Sequence, residues 1–175
     1  MATPAMAFAQ IANECEAEGL SPKNADRVAQ ELAKAFNVKP DEVGIMRVDK
    51  AHLVFVYPTK LHNVGSIPMN TTGSVAAACA TSKRAQILNN FAQAKHVSIF
   101  ESVDLTGKQK GMGEHGEAHA IQKLLCVPVL APAGAVGVIE ICRKGKSAPD
   151  SGADFMPLDM QKLVTIAGTL VKCFK

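Results

Sequence analysis

The chain has 175 residues, 47% of them hydrophobic and 20% charged, which is the composition of one soluble globular domain with a real core. Its net charge is +3, its basic residues are scattered and it has no Trp, so we predict no nucleic-acid partner. No apolar run approaches the roughly 20 residues of a membrane span, and the start lacks the features of a signal peptide. The five widely spaced Cys include no CxxC pair and predict reduced thiols in a cytoplasmic protein.

The first 40 residues predict a pair of helices. Thr3-Pro4 and Ser21-Pro22 each supply an N-cap followed by proline in the first turn. Gly19 predicts the end of the first helix, because glycine adopts the left-handed conformation without strain. Pro40 marks the exit from the second helix. We therefore expect residues 1–40 to form a helical pair that packs on a sheet built by residues 41–175, with one structural domain overall.

The middle of the chain predicts short strands around one small helix. The β-rich runs are separated by polar turns, and an Ala-rich stretch follows Thr71-Thr72-Gly73. In chain order we predict a hairpin of 43–48 and 53–57, an edge strand at 65–69, a helix at 74–80 and a strand at 86–91.

The last third of the chain carries its clearest pattern. Two apolar runs, 121–130 and 135–144, flank a Pro/Gly turn and predict a β-hairpin at the centre of the sheet. After a polar loop the final helix presents an apolar stripe that is wide for one sheet face to cover. Helices at both ends of closely connected strands suggest the α+β class. The stripe consists of Met160, Leu163, Val164, Ala167, Leu170, Val171 and Phe174.

Three local patterns in this order resemble GAF domains from about residue 43 onward. The first is 72–80, which is similar to the short helix that GAF domains place after their third strand. The second is the pair Val-Pro-Val at 127–129 and Gly-Val-Ile-Glu-Ile at 137–141, which is similar to their central hairpin. The third is 143–144 followed by Phe-x-x-x-Asp at 155–159, similar to the signature of cyclic-nucleotide-type GAF domains.

That third pattern departs from the family at both ends. Arg143 stands where those domains have Asn, and Met160 stands where they have Glu. In the family these residues support the fold around the nucleotide pocket. Cyclic nucleotides are therefore not the favoured ligands.

The resemblance implies a GAF-like (profilin-like) six-stranded antiparallel sheet. Its N- and C-terminal helices would lie on one face, and pocket helices and loops on the other. The glycine-rich loop 107–116 is long enough to act as a lid. By this topology the candidate ligand-binding residues are Thr71, Thr72, Ser74, Tyr57, His96, Phe100 and His119.

Each of these candidates also has a plainer explanation. The hydroxyls of 71–74 precede a helix start, which suits an anionic or carbonyl group, but an N-cap alone accounts for them. Tyr57, His96 and Phe100 are candidates from the family topology only, and surface or core packing is the better explanation for any one of them.

Two motifs suggest chemistry that their spacing does not support. His115 and His119 lie one helical turn apart beside Glu117, but a metal site needs three or four ligands, so we predict none. The glycine-rich stretch 107–113 lacks the spacing of a phosphate-binding loop.

Cys79 and Cys126 fit core packing better than nucleophilic roles, because a reactive thiol needs a cationic or helix N-terminal setting.

The leading functional hypothesis is a regulatory or sensory module that binds an unidentified small molecule in cytoplasmic signal transduction. It would have no catalytic residue and no output domain, and its cofactor, if any, is unknown. Its partners would be a second copy, joined through the terminal helices, and a separate signalling protein. The alternatives are a GAF-fold thiol-dependent reductase, which needs two accessible cysteines, and a degenerate GAF scaffold for protein–protein contacts.

Overall fold

A computed structural model describes residues 3–62, 66–91 and 120–175 of the chain. Helices and strands follow one another in the predicted order. The helices are α1 (Pro4–Cys15), α2 (Pro22–Phe36), α3 (Val75–Ser82) and α4 (Pro157–Leu170). The strands are β1 (Val43–Asp49), β2 (His52–Tyr57), β3 (Ser66–Pro68), β4 (Gln86–Leu88), β5 (Ile121–Ala131) and β6 (Gly134–Lys144).

Side chains just ahead of the helices cap them as predicted. Thr3 Oγ1 accepts a hydrogen bond from the amide of Met6 at 3.3 Å, and Ser21 Oγ accepts one from Asn24 at 3.2 Å. These bonds satisfy amides that have no partner within the helix. Helix α2 ends three residues earlier than its proline suggested, because Asn37 adopts the left-handed conformation there with φ +53°.

The described strands form one antiparallel sheet of six strands, in the order β3-β2-β1-β6-β5-β4. The predicted fold class is thereby confirmed. The β5–β6 hairpin is not itself the centre of the sheet: β6 and β1 are the two central strands, and β5 lies between β6 and the edge strand β4. The sequence pattern predicts which two strands form the hairpin. It does not predict which strand pairs with the other edge of β6.

Two hydrophobic layers cover the two faces of this sheet. Helices α1, α2 and α4 pack on one face, here called the helix face, and α3 packs on the other, the α3 face. Strand β6 contributes to both because successive side chains point to opposite sides. Its Ile139 and Ile141 lie in the helix face, and Val138 and Cys142 lie in the α3 face. No helix in the described ranges has the length and apolar character needed to cross a membrane.

The apolar stripe of α4 is mostly covered by its own sheet. Leu163, Ala167 and Leu170 are buried in the helix face. Phe174 lies directly on β6 at Gly137, where an added Cβ would stand 2.4 Å from its ring. Val164 is the member of the stripe that stays exposed, at 48%. The width of the stripe is therefore no argument for dimerisation, contrary to the prediction.

Candidate functional site

A carboxyl group lies buried in the middle of the sheet. Glu140 belongs to central strand β6, pairs with Gly44 of β1 and Cys126 of β5, and is only 6% exposed. It shares the α3 face with its period-two neighbours Val138 and Cys142. Acidic side chains are rarely buried without a cationic partner, so this residue is the most unusual feature of the described sheet.

The hydrogen bonding of Glu140 is sparse. The Cys126 thiol donates to its Oε1 across 3.8 Å, and this is its one polar contact within the described ranges. Removal from water raises the pKa of Glu140 to about 7, and the thiol hydrogen bond offsets only part of that rise. Near neutral pH the group is therefore poised between its two forms, so it can exchange a proton or receive a cation.

Three thiols share the α3 face with this carboxyl group. Cys79 of α3, Cys126 of β5 and Cys142 of β6 are all buried in the α3 face, and none is in a disulfide. Burial raises the pKa of both Cys126 and Cys142 well above the usual thiol value. At neutral pH Cys126 and Cys142 therefore hold their protons and are poor nucleophiles in this arrangement.

The predicted hydroxyl cluster lies at the start of α3. Ser74 is buried and caps the helix, since its Oγ accepts from the amide of Ala77 at 3.1 Å. The amide of Thr71 donates to the Pro68 carbonyl at 3.0 Å, and Thr72 is exposed. The capping explanation accounts for Ser74, whereas a ligand role for the three hydroxyls stays a prediction.

Tyr57 does not join these residues. The pairing of β1 with β2 shifts between Ile45 and Met46, which leaves Val56 as an extra residue in β2. Strict alternation from Phe55 would put Tyr57 in the α3 face, but the bulge turns it into the helix face, where it is 4% exposed. Burial raises the pKa of its hydroxyl to about 12.

The remaining candidates lie outside the described residues. His96, Phe100, His119 and the predicted lid 107–116 all fall there, as does His115. Within the residues that are described, no group of three His, Cys, Asp or Glu side chains is placed to hold a metal ion.

The pattern similar to cyclic-nucleotide-type GAF domains has a structural role in this chain. The Arg143 guanidinium donates to the carbonyls of Phe36 and Asn37, at 3.3 and 3.4 Å, and lies 4.9 Å from the centre of the Phe155 ring. Asp159 accepts from the amide of Met156 at 2.7 Å and so caps α4. Arg143 therefore joins β6 to the end of α2, and the side chains of the pattern are occupied in holding the helix layer.

Comparison with known proteins identifies the fold. No protein-family model and no curated protein matches the chain. Among solved structures, the GAF domain of an Acinetobacter phosphoenolpyruvate-protein phosphotransferase superposes with a TM-score of 0.63 at 14% identity, covering 99% of this chain and 94% of that one. The chain has the GAF fold.

Other GAF-fold neighbours differ in what they do. The free methionine-R-sulfoxide reductase of Neisseria meningitidis superposes with a TM-score of 0.61 at 17% identity, over 99% of this chain and 92% of that one. The GAF-B domain of DevS from Mycobacterium smegmatis gives 0.52 at 14%, over 88% and 93%. At such low identity the likeness shows the fold alone, so function has to be argued from the site.

Proposed function

We propose that this GAF-fold chain is a regulatory or sensory module of cytoplasmic signal transduction that binds a small molecule on its α3 face. The observation that supports this proposal is Glu140, a carboxyl group buried in a central strand whose one polar contact among the described residues is a weak hydrogen bond from a thiol. An ionised group in such a place is costly unless something of opposite charge meets it. We infer that the ligand brings a cationic nitrogen, such as an ammonium or guanidinium group, to Glu140.

Binding explains the site better than catalysis does. The reductase alternative needs accessible thiols, and all five cysteines are buried. Burial also raises the pKa of Cys126 and Cys142, which lowers the fraction of reactive thiolate.

The scaffold alternative leaves Glu140 without a purpose. A core that served only packing would be more stable with an apolar or amide side chain at that position. The thiol hydrogen bond to Glu140, at 3.8 Å, is too long to offset the loss of water around a carboxylate.

The ligand test uses native mass spectrometry of freshly purified protein. We expect a co-purified small molecule in the wild type and its loss in Glu140→Gln, because the amide cannot neutralise a cation. Glu16→Gln changes an exposed glutamate at the C-terminal end of α1 and is expected to retain the molecule.

Thermal-shift titration with a panel of small amines provides the second readout. We expect the wild type to be stabilised more at pH 8 than at pH 6, since a cation binds the ionised form of Glu140. The absence of both a bound molecule and an amine-induced shift would refute the proposal, as would equal responses from the wild type and Glu140→Gln.

The proposal includes a homodimer, through which the signal passes by a population shift of the terminal helices. An apolar groove of about 370 Å³ runs between α1 and α4, and its wall includes Phe8, Ile166 and Leu158. Leu158 is 76% exposed beside it. An exposed Leu at the rim of an apolar groove is a feature of interaction surfaces. A separate signalling protein would then meet the paired helices.

Light scattering at micromolar concentration tests the dimer. We expect twice the mass of one chain, and we expect Leu158→Asp to give the mass of a single chain because it places a charge in the groove. Leu130→Asp, at an exposed position in the β5–β6 hairpin, should remain dimeric. A wild type that scatters as a single chain would exclude this part of the proposal.

A further inference from the structure

The residue that pairs with Glu140 on strand β1 has no side chain. Gly44 lies directly opposite Glu140 in the β1–β6 pairing. Paired residues of antiparallel strands have Cβ atoms about 4.5–5.5 Å apart, so a side chain at position 44 would stand against that of Glu140. We propose that the place left by Gly44 receives a primary ammonium group of the ligand, and that Gly44 thereby determines which ligands the site admits. This inference rests on the proposed function and adds to it a class of ligand and a specificity-determining residue.

The face on which Gly44 lies follows from its neighbours in β1. Val43 and Ile45 are buried in the helix face, whereas Met46 is buried in the α3 face. Because successive residues of a strand alternate between faces, Gly44 belongs to the α3 face with Met46 and Glu140.

The backbone does not explain why this residue is glycine. Gly44 is buried, and its φ lies outside the left-handed region that favours glycine. The extra residue of the nearby bulge is Val56 in β2, so the bulge does not require glycine at position 44 either. Glycine within a strand weakens it, and one of its uses is to let a ligand approach closely.

The two sides of Glu140 differ in what they offer. On the β5 side its paired residue is Cys126, whose thiol donates to Oε1 at 3.8 Å. Helix α3 packs on that side, over β5 and β6. On the β1 side the paired residue is Gly44, and no described residue makes a polar contact with the carboxyl group there. A cation therefore has its place beside Glu140 on the β1 side.

A compact cation suits this place better than a broad one. An ammonium group is a point charge on one nitrogen, whereas a guanidinium is a planar fork whose strongest contacts use both oxygens of a carboxylate. Oε1 of Glu140 already accepts the thiol, so a guanidinium would compete with Cys126 for it. A trimethylammonium group has the charge but no N–H to donate, and its three methyl groups need more room than one missing side chain leaves.

Apolar side chains border this place along the α3 face. Met46 is the next residue of β1 on that face, and its partner in β2 is Phe55. Both are buried in the same hydrophobic layer as Val138. An apolar body attached to the ammonium group fits such a border, and an unbranched butyl chain serves as its probe.

Four probes with the same butyl body separate the effects of the head group. Isothermal titration calorimetry compares n-butylamine, n-butylguanidine, n-butyltrimethylammonium and the neutral n-butanol at pH 8, where Glu140 is largely ionised. We expect n-butylamine to bind at least about tenfold more tightly than either of the other cations, and n-butanol not to bind. Equal affinities for the three cations would overturn this inference and leave the cation site in place. Binding of none of them would overturn the proposed function together with the inference.

Gly44→Ala tests the place itself, because it adds one methyl group and leaves Glu140 and Cys126 unchanged. We expect it to weaken the binding of n-butylamine by at least about tenfold. Gly168→Ala is the matched control, since an added Cβ in that part of α4 meets no atom within 4 Å, and we expect wild-type affinity.

Urea unfolding without amine shows whether the protein itself fills the place beside Glu140. We expect Gly44→Ala to have a midpoint no lower than that of the wild type, because alanine loses less conformational freedom on folding than glycine does. A lowered midpoint would show that other atoms occupy the place, and this would overturn the inference. So would a folded Gly44→Ala protein that binds n-butylamine as tightly as the wild type.

Discussion

Val138→Asp is expected to unfold most of the protein at room temperature. Val138 is fully buried in β6, where it pairs with Met46 of β1 and Pro128 of β5. An aspartate there would be buried without a partner, at a cost of several kcal/mol. A domain of this size is stable by only about 5–15 kcal/mol, so the loss is a large share of the total.

Circular dichroism during heating or urea titration measures this loss. The control is Leu130→Asp, which places the same carboxyl group in the same hairpin at a position that is 45% exposed, and we expect it to cost about 0.5 kcal/mol or less. A Val138→Asp protein that melts with the wild type would contradict the placement of β6 in the core.

Glu140→Gln should instead stabilise the protein, and only at neutral and alkaline pH. The folded state raises the pKa of Glu140 from 4.5 to about 7, so between these values it binds more protons than the unfolded state does. The stability of the wild type therefore falls as the pH rises through this range and is level above it. Across this pH range the free energy of unfolding of the wild type falls by an amount on the order of 3 kcal/mol. The glutamine variant has no titrating carboxyl group at this position, so its free energy of unfolding does not fall in this way.

Urea unfolding at pH 5 and pH 8 separates the two forms. We expect the free energies of unfolding of the wild type and Glu140→Gln to differ far more at pH 8 than at pH 5. Glu16→Gln alters an exposed side chain and should retain the wild-type dependence on pH. Parallel pH profiles for the wild type and Glu140→Gln would show that the carboxyl group is not buried as described.

Features set by neighbouring residues could be predicted from the sequence. The caps at Thr3, Ser21 and Ser74 depend on a hydroxyl three residues before the amide that it binds, and all three are present. Both hairpins join segments that are adjacent in the chain. The order of strands in the sheet could not be predicted in this way, because the pairing of β1 with β6 joins residues about 100 positions apart. The family resemblance implied a six-stranded antiparallel sheet but not this order of strands.

Two site residues show where local pattern failed. The face occupied by Tyr57 depends on one extra residue in β2, and apolar residues on both sides of Val56 conceal that bulge in the sequence. Glu140 was included in an apolar strand pattern and not singled out. The sequence nevertheless contained the information. Side chains two positions apart on a strand point to the same face, so the acidic residue between Val138 and Cys142 faces the same side as they do. In a strand expected to be buried on both faces, that side is part of a core.

The ring of Phe174 packs directly on the backbone of β6 at Gly137. Gly137 and Glu140 are three residues apart on one strand, and the aromatic ring rests on the backbone because no side chain stands between them. Any side chain at position 137 would have to displace either that ring or the carbonyl of Met46 on β1, so the close approach of the C-terminal residues to the sheet depends on this glycine.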